Sequence, residues 1–496
     1  MFEELAWPIL AIILVTLVIN HFNATKNLPP GPFPLPIIGN AHKLAAYSRH
    51  VDLTELGKQY GKVFRLYLGS QLVVVASGSN AIKEVLVTKS AEFAGRPSLY
   101  SSEVYSKGKA IGFVDYSSEW RLHRKVVVSA IKTYTTAKLI KRGTVINGEF
   151  DLLLKRVRSR NGEPHDITKA IRLAVMNVVC ALVFGKRYEL DDPEFTTFME
   201  INDTILGTLA TGSVVDVFPW LRFIPFRSIQ NLKEKCRERY EMISRIYRQH
   251  MDAYRVDNPQ DLTDTLLKAK KEAEDEDSSI KGFLTDQHLI MTMSEVFLAG
   301  METTASTLCW ALLYLIHNPE VQQRLHQELD QVIGAERLPE LEDKKNLPYL
   351  EATITEILRL SSIGPLSIPH KTTVDTTLQG YSIPKGTTVL TNLWSLHHDP
   401  EIWDDPDAFR PERFLDEEGS FVPPKADRFL PFSAGRRSCL GESLARIELV
   451  LVLARLLHSF KFENPPRSDL PTLDPIVGLV LLPRPFNACA IQRHAV

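Results

Sequence analysis

Cys439 has the sequence setting best suited to chemistry. It lies in residues 432–441, which read FSAGRRSCLG, where Gly435 and Gly441 allow close backbone approach or a positive φ. An apolar helix is predicted to begin here, and the free N–H groups of a helix start, with the charge of Arg437, would stabilise a thiolate. Such a thiolate could be a nucleophile, a redox sensor or a metal ligand. A buried structural cysteine is the simplest alternative.

A second polar group interrupts the longest apolar helix that the sequence predicts, over residues 285–317. Residues 299–304 read AGMETT and place Glu302 and Thr303 among apolar neighbours. Because unpaired polar groups are costly to bury, these side chains need partners or a function. Either Thr303 bonds back to its own helix while Glu302 forms an ion pair, or both line an opening where protons are required.

These two segments resemble the heme-binding loop and the oxygen-activating helix of the cytochrome P450 monooxygenases. The pattern F-x-x-G-x-R-x-C-x-G is filled at each fixed position, and residues 299–304 fit [AG]-G-x-[DE]-T-[TS]. The resemblance covers about residues 28–490 and implies that Cys439 is the thiolate ligand of heme b, pushing electron density onto the iron. Thr303 would then donate to bound O2 and Glu302 would supply protons through water, so that one oxygen atom enters a C–H bond.

Further segments resemble the parts of that family that contact the heme propionates. Arginine suits a carboxylate because its planar fork can donate two parallel hydrogen bonds. Matched by position within their motifs, the residues that the resemblance assigns to the propionates are Arg96, Trp120, Arg124, His370 and Arg437.

The resemblance also implies an ionic network beneath the cysteine loop. Glu356 and Arg359 form an E-x-x-R pair, and Arg413 would complete a Glu–Arg–Arg group. Taken alone, a Glu and an Arg three residues apart form an ion pair found on many helices. The implied role is therefore structural.

Several segments look closest to the steroid 17α-hydroxylases, namely 215–221, 262–269, 368–371 and 392–398. This likeness implies 17α-hydroxylation of pregnenolone or progesterone. It places Asn202 and Arg239 against the 3-oxygen of the steroid, and Ala299 with Gly300 as a flat wall beside the sterol. Two exposed helix residues are the alternative interpretation of Asn202 and Arg239.

Other features keep alternatives open. Residues 348–351 and 360–365 look more like arene-oxidising relatives, so a xenobiotic or polycyclic-arene monooxygenase is the second hypothesis. Lys344 and Arg446 match a basic patch that binds cytochrome b5, but Thr355 stands where a third basic residue is expected, which leaves 17,20-lyase activity in doubt. A heme-thiolate isomerase or a ligand-binding protein is a further alternative, which Glu302 and Thr303 disfavour.

The elements that must position these side chains are mostly helical. β-Branched runs around residues 69–70 predict a hairpin over 63–76. At 1.5 Å per residue the helix over 285–317 would be about 50 Å long. A last helix is predicted over 439–460, and the charged segment 268–281 predicts a surface loop. We expect a mainly α fold with a minor β component, in one large domain.

The N-terminus predicts a membrane anchor. Residues 5–19 are nearly unbroken hydrocarbon, close to the shortest length that spans a bilayer. Two acidic residues near the start argue against a cleaved signal peptide, and the basic residues that follow place the domain in the cytosol. We expect an anchor over 1–22, a proline-rich linker over 23–40 and a catalytic domain over 41–496, at the endoplasmic reticulum membrane.

Composition limits the classes of partner and cofactor that this chain is expected to bind. The formal net charge is −2, which gives no electrostatic case for a nucleic acid. The five cysteines are odd in number and form no C-x-x-C pair, which argues against a disulfide framework and a zinc site. Because no G-x-G-x-x-G loop is present, we expect electrons from NADPH to arrive through a separate cytochrome P450 reductase, docking near Lys125, Arg436 and Arg446.

Overall fold

The computed structural model describes residues 26–44, 49–134, 144–211, 214–253, 259–275 and 281–494. The predicted anchor over 1–22 lies outside these ranges. Helices dominate the described chain: α1 (Arg49–Tyr60), α2 (Ser79–Lys83), α3 (Tyr100–Ser106), α4 (Ser118–Tyr134), α5 (Thr144–Arg158), α6 (Thr168–Phe184), α7 (Pro193–Thr211), α8 (Val214–Val217), α9 (Arg227–Ala253), α10 (Leu262–Asp275), α11 (Asp286–His317), α12 (Pro319–Val332), α13 (Pro348–Ser361), α14 (Leu393–His397) and α15 (Glu442–Ser459).

The strands form small sheets at the edge of the helical body. The largest sheet has the order β1-β2-β7-β4, with an antiparallel hairpin β1–β2 and a parallel β2–β7 pair. A second sheet has the order β3-β11-β8, and two further pairs are β5–β6 and β9–β10. The strands are β1 (Val63–Leu68), β2 (Gln71–Ala76), β3 (His165–Asp166), β4 (His370–Lys371), β5 (Thr376–Leu378), β6 (Tyr381–Ile383), β7 (Thr388–Thr391), β8 (Phe460–Glu463), β9 (Ile476–Val477), β10 (Leu481–Leu482) and β11 (Asn487–Gln492). The predicted α-rich fold with its hairpin is confirmed.

Helix α11 runs through the centre of the core and packs against α6, α9, α13 and α15. It is the one helix of the described residues long and apolar enough to cross a membrane, with a mean hydropathy of 1.4 in its best window, and 78% of that window is buried inside the fold. Its exceptions are informative, because Ala299 is exposed and Glu295, Gly300 and Thr303 are half-buried. Part of this central helix therefore faces an internal cleft.

Two predicted boundaries were wrong. Residues 268–275, predicted as loop, form the second half of α10, because leucines and alanine at helical spacing bury one face of it. The charged residues lie on the other face, where Lys268–Glu272 and Lys270–Glu274 pair across one turn. The last helix begins at Glu442 rather than at 439, which leaves the cysteine in the loop before it.

The described part of the proline-rich segment is attached to the sheet. The Pro30 carbonyl accepts the Arg65 N–H at 2.8 Å, and the Asn40 N–H donates to the Tyr67 carbonyl at 2.6 Å. A side chain on Gly31 would lie only 2.0 Å from the Arg65 carbonyl oxygen, so a glycine is required at this contact. These contacts therefore fix the direction of the proline-rich segment along β1.

The predicted Glu–Arg–Arg network is present. Glu356 accepts from the Arg359 Nε at 2.7 Å and from the Arg413 Nε at 3.2 Å, and the three side chains are almost completely buried. Arg359 also donates to the carbonyls of His397 and Pro406, at 2.7 Å each. These bonds tie α13 to the segment that leads towards the cysteine.

Candidate active site

The loop that carries Cys439 is closed by its own backbone. The Cys439 N–H donates to the Phe432 carbonyl at 3.0 Å, across a 3-10 turn over Gly435–Arg437. Gly435 has a φ of 71°, and a side chain there would lie 1.7 Å from the Leu86 carbonyl oxygen. Only glycine permits both this conformation and this contact, so the sequence dictates where the thiol is presented.

Cys439 is the exposed cysteine of the described chain, whereas Cys180, Cys236, Cys309 and Cys489 are buried. The surrounding protein nevertheless desolvates its thiol, which raises the pKa of that group. The N–H groups of Gly441 and Glu442 and the charge of Arg124 oppose that rise without cancelling it. The prediction of a depressed pKa is therefore wrong for the protein alone, although a metal ion would deprotonate a coordinating thiol outright.

Arg437 does not act on the thiol as predicted, because its guanidinium is directed to a neighbouring segment. It donates to the carbonyls of Ala94, Ile111 and Val114 at 2.8–3.0 Å. The guanidinium also lies 3.8 Å from the centre of the Trp120 ring, and the Trp120 indole N–H donates to the same Ile111 carbonyl at 2.8 Å. Arg437 and Trp120 thus hold one wall segment together.

The other three residues predicted to contact the propionates lie in the same region. Arg96 donates to the carbonyls of Gly112, Ile368 and Pro369 at 2.8–3.0 Å. A ring nitrogen of His370 bonds to the Phe93 carbonyl at 2.8 Å. The Arg124 side chain donates to the Ser438 carbonyl at 2.5 Å, next to the thiol. The structure therefore brings all five predicted residues together beside the cysteine loop.

This cluster of positive charge fits a cofactor with carboxylates. Burial lowers the pKa of Arg96, Arg124 and Arg437, in the last case to about 9, and mutual repulsion contributes at Arg96 and Arg437. Within the described ranges none of the three arginines forms an ion pair, and the attraction of Asp115 and Glu295 does not offset the effects of burial and repulsion on the pKa of Arg96 and Arg437. Buried cations without counter-charges are unfavourable. Two carboxylates of a heme bound through the neighbouring thiolate would supply the missing charge.

Both contacts of the first interpretation of the polar motif in α11 are present, whereas the expectation that Glu302 lines the opening together with Thr303 is not met. The Thr303 hydroxyl donates to the Ala299 carbonyl at 2.7 Å, one turn back. Glu302 is buried and accepts from Arg172 of α6 at 2.9 Å, and Arg172 also pairs with the more exposed Asp203 at 2.5 Å. Burial raises the pKa of Glu302, and Arg172 opposes that rise. Glu302 therefore faces α6, whereas Thr303 lies on the half-exposed stripe of the helix.

Glu295 belongs to that stripe and was missed by the sequence analysis. It precedes Ala299 and Thr303 by four and eight residues, a spacing that puts the three on one helix face. Its carboxylate accepts the backbone N–H groups of Ile111 and Gly112, the latter at 3.0 Å. Burial raises the pKa of Glu295 to about 7. An acid at that spacing from the motif was the signal that could have identified it.

Asn202 and Arg239 are in contact and completely buried, so they are not two exposed helix residues. Arg239 donates to the Asn202 side-chain oxygen and to the Ser294 carbonyl, and its Nε donates to the Ser294 hydroxyl at 2.7 Å. The Asn202 side-chain nitrogen has a sulfur contact, Met301 at 3.7 Å. The pair joins α7 and α9 to α11, one turn before Ala299.

Ala299 and Gly300, the predicted flat wall, differ in what they contact. A side chain on Gly300 would meet Val179 of α6 at 3.2 Å, so this glycine lets α6 and α11 approach closely. Ala299 is exposed towards the cleft. Gly300 is therefore assigned a packing role.

Comparison with known proteins is consistent with this geometry. The family profile described as Cytochrome P450 matches residues 29–490. The chain is 39% identical to "Steroid 17-alpha-hydroxylase/17,20 lyase" of Squalus acanthias, over 99% of this chain and 98% of the relative. It is 40% identical to the protein of the same name from Gallus gallus, over 93% and 91%. It is also 36% identical to "Cytochrome P450 2U1" of Rattus norvegicus, over 94% and 91%.

Proposed function

Because this chain belongs to the cytochrome P450 family, we propose that it directs its monooxygenase activity at a steroid, with 17α-hydroxylation of pregnenolone or progesterone as the reaction. The family uses a heme with a cysteine thiolate, O2 as co-substrate and electrons from a separate redox protein. The bound heme supplies the activation of O2 that places one oxygen atom in a C–H bond. The residues of this chain decide which substrate is held next to the heme and how protons reach the cleft.

The observation that carries the steroid proposal is the buried Asn202–Arg239 pair. It meets α11 at Ser294, nine residues before Thr303, which is about 13 Å along a helix at 1.5 Å per residue. That separation is of the order of a four-ring sterol nucleus. A steroid held by its 3-oxygen at the pair would place its other end near Thr303, with Ala299 between them.

We assign Cys439 as the thiolate ligand and the five clustered residues to the heme carboxylates. Arg96, Arg124 and Arg437 would exchange backbone carbonyls for the stronger carboxylate acceptors. Trp120 would keep Arg437 in place by its ring contact, and the buried His370 would remain neutral because burial and Arg96 lower its pKa to about 3. Their common role is to bind and orient the cofactor.

We assign the proton steps to Thr303 and Glu302. The Thr303 hydroxyl can turn from the Ala299 carbonyl to donate into the cleft, because the side chain is half-buried and lies on the cleft stripe. Burial raises the pKa of Glu302, so its carboxyl can hold a proton, and water would carry that proton to the cleft because Glu302 itself faces α6. Thr303 is the donor on the cleft side.

The reductase and cytochrome b5 are proposed as electron-transfer partners. Lys125 and Arg436 are exposed near the cysteine loop, whereas Arg446 pairs with Glu442 at 2.9 Å. Lys344 pairs with Glu351 at 3.2 Å, and Thr355 is buried. The basic patch for cytochrome b5 is therefore small and partly neutralised, which supports 17α-hydroxylation with weak 17,20-lyase activity.

We propose the endoplasmic reticulum membrane as the location, with residues 1–22 as anchor, 23–40 as linker and 41–496 as catalytic domain. Two exposed apolar groups support a membrane-facing side. They meet at the β1–β2 turn, where Gly69 bonds to the Ile38 carbonyl and lies against Val217. The exposed residues are Phe33, Leu35, Ile37 and Ile38 in one group, and Val214, Trp220, Phe223 and Ile224 in the other.

The decisive experiment is turnover of progesterone by the heme-loaded chain with cytochrome P450 reductase and NADPH. The expected product is 17α-hydroxyprogesterone, and the Asn202→Ala variant should lose affinity for the steroid while retaining its heme. A matched control is Asn487→Ala, which alters an exposed asparagine of β11. Absence of the hydroxylated steroid together with fast oxidation of a flat arene would refute the steroid assignment.

A further inference from the structure

Glu448 of α15 is almost completely buried and carries an unpaired oxygen. Its side chain is 1% exposed, and its Oε1 atom has no hydrogen-bond partner in the described part of the protein. Burial raises the pKa of Glu448 to about 8, and a hydrogen bond with the Thr304 side chain opposes that rise, so the carboxyl keeps its proton at neutral pH. A leucine of similar size would leave no polar atom unpaired here, so the acid costs stability, as groups retained for function often do.

Thr304 is the second threonine of the motif in α11 and directly follows Thr303. It is buried, whereas Thr303 lies on the half-exposed stripe that faces the cleft. Successive residues of an α-helix point about 100° apart, so one turn of α11 presents the first hydroxyl to the cleft and the second to Glu448. The turn that carries the proton donor is therefore held from its other side by α15.

Helix α15 also follows the loop that carries the heme ligand. It begins at Glu442, three residues after Cys439, and Glu448 lies six residues further along, which is about 9 Å at 1.5 Å per residue. From Glu448 to Ser459 the helix is buried without interruption, and it packs against α11. One helix fixed in the core therefore connects the cysteine loop with the motif.

We propose that Glu448 is a positioning residue for oxygen activation, because its bond to Thr304 sets the place of Thr303 relative to the thiolate ligand. The inference rests on the proposed proton donation by Thr303 and goes beyond it by naming the contact that orients this donor. A hydrogen bond has a preferred length and direction, so it fixes the register of two helices more sharply than apolar packing does. Groups that act on a reacting centre need such support from the residues behind them.

The test compares Glu448→Gln with Glu448→Leu in the heme-loaded full chain. An amide can still bond to the Thr304 hydroxyl, whereas leucine has no polar atom. With progesterone, reductase and NADPH, we expect Glu448→Leu to lower product per NADPH by up to about 100-fold, the loss that a displacement of about 1 Å can cause, with hydrogen peroxide released instead. Glu448→Gln should keep the parental ratio. Thr353→Val, which removes a buried threonine hydroxyl from α13, is the control.

Hydrogen exchange of the backbone amides of residues 299–307 gives a readout that does not depend on turnover. Exchange should be faster in Glu448→Leu than in the parent chain and in Glu448→Gln. Heme content and the thermal midpoint of Glu448→Leu should stay at or above the parental values, because the freed Thr304 hydroxyl can bond to its own helix, as those of Thr303 and Thr307 do. A merely structural role would lower the midpoint and leave product per NADPH unchanged.

Thr304→Val breaks the same contact from the other side and keeps the inference testable if Glu448→Leu binds heme poorly. Because both changes remove one interaction, the double variant should lose no more than either single variant. Parental coupling in Thr304→Val, or equal losses in Glu448→Gln and Glu448→Leu, would overturn the inference while Thr303→Val still uncouples turnover. If Thr303→Val is itself fully coupled, the proposed proton donation fails, and this inference fails with it.

Discussion

Arg172 of α6 donates to Glu302 of α11 at 2.9 Å and holds this acid against the neighbouring helix, away from the stripe that carries Thr303. The same guanidinium reaches the more exposed Asp203, so a buried acid and a surface acid share one cation. The two adjacent residues of the motif therefore face different surroundings. Glu302 is held in an ion pair, and Thr303 lines the cleft.

Replacing Arg172 should change the pH dependence of turnover. Arg172 lowers the pKa of Glu302 against the effect of burial, so Arg172→Gln should raise that pKa further and keep the acid protonated to higher pH. The limb of the pH–rate profile that reports Glu302 should move to higher pH by about one unit. Arg245→Gln breaks an exposed pair with Glu194 and serves as the control. An unchanged profile would argue against Glu302 as the proton source.

Removing the Thr303 hydroxyl should separate electron consumption from product formation. Thr303→Val keeps the shape of the side chain but deletes the donor on the cleft side, so product per NADPH should fall steeply, since a positioned proton donor typically contributes about 10²–10⁴-fold. Thr307→Val is the matched control, because its hydroxyl makes the same one-turn bond, to Thr303, from a buried position. Equal losses in both variants would contradict the assignment.

Breaking the buried network at Glu356 should destabilise the fold. Glu356→Gln leaves Arg359 and Arg413 without their counter-charge, which typically costs about 3–5 kcal/mol in the free energy of unfolding. The exposed Glu55–Lys58 pair has the same three-residue spacing, and Glu55→Gln should cost at most about 0.5 kcal/mol. Thermal unfolding of the two variants measures the difference. Similar midpoints would show that the network does not support the fold.

Glu448 should make stability depend on pH. This acid of α15 is buried beside Thr304, and burial raises its pKa from 4.5 to about 8. The pKa of Glu448 is higher in the folded state than in the unfolded state. Its contribution to stability is therefore fully present below about pH 4.5 and is lost as the pH rises towards 8, by an amount on the order of 5 kcal/mol. Glu448→Gln should remove this slope, measured by denaturant unfolding at several pH values. A variant with the parental slope would contradict the burial effect.

The exposed apolar groups should contribute to membrane binding independently of the anchor. A chain lacking residues 1–22 should still bind phospholipid vesicles, and a double change of Trp220 and Phe223 to Ser should weaken that binding about tenfold or more, since each buried aromatic contributes over 1 kcal/mol. Val422 and Val374 are exposed elsewhere, and their change to Ser is the control. Vesicle flotation distinguishes the two results.

The local part of the site could be predicted from sequence, whereas its partners could not. The cysteine loop and the motif in α11 are contiguous segments, so their residue types and spacing already define the chemistry. Arg172 is 130 residues from Glu302 along the chain, and its contact depends on how α6 packs on α11. The directions of the Arg96 and Arg437 side chains likewise depend on tertiary contacts with residues 111–114.

The pKa of Cys439 shows why one local argument failed. Helix-start N–H groups do reach the thiol as predicted, but the desolvation that outweighs them comes from surrounding protein that no short segment describes. The same limitation explains Gly300, whose neighbour Val179 lies on another helix. Sequence patterns identify which groups are present, and packing decides which of two opposing effects is larger.

Hydrogen bonds on both sides of residues 111–112 connect the arginine cluster to the cleft wall. Their carbonyls are held by Trp120, Arg437 and Arg96, and their N–H groups by Glu295 of the cleft wall. Because this one short segment is bonded on one side to the arginines and on the other to Glu295, a change in how the arginines are bonded would act directly on the position of the cleft wall.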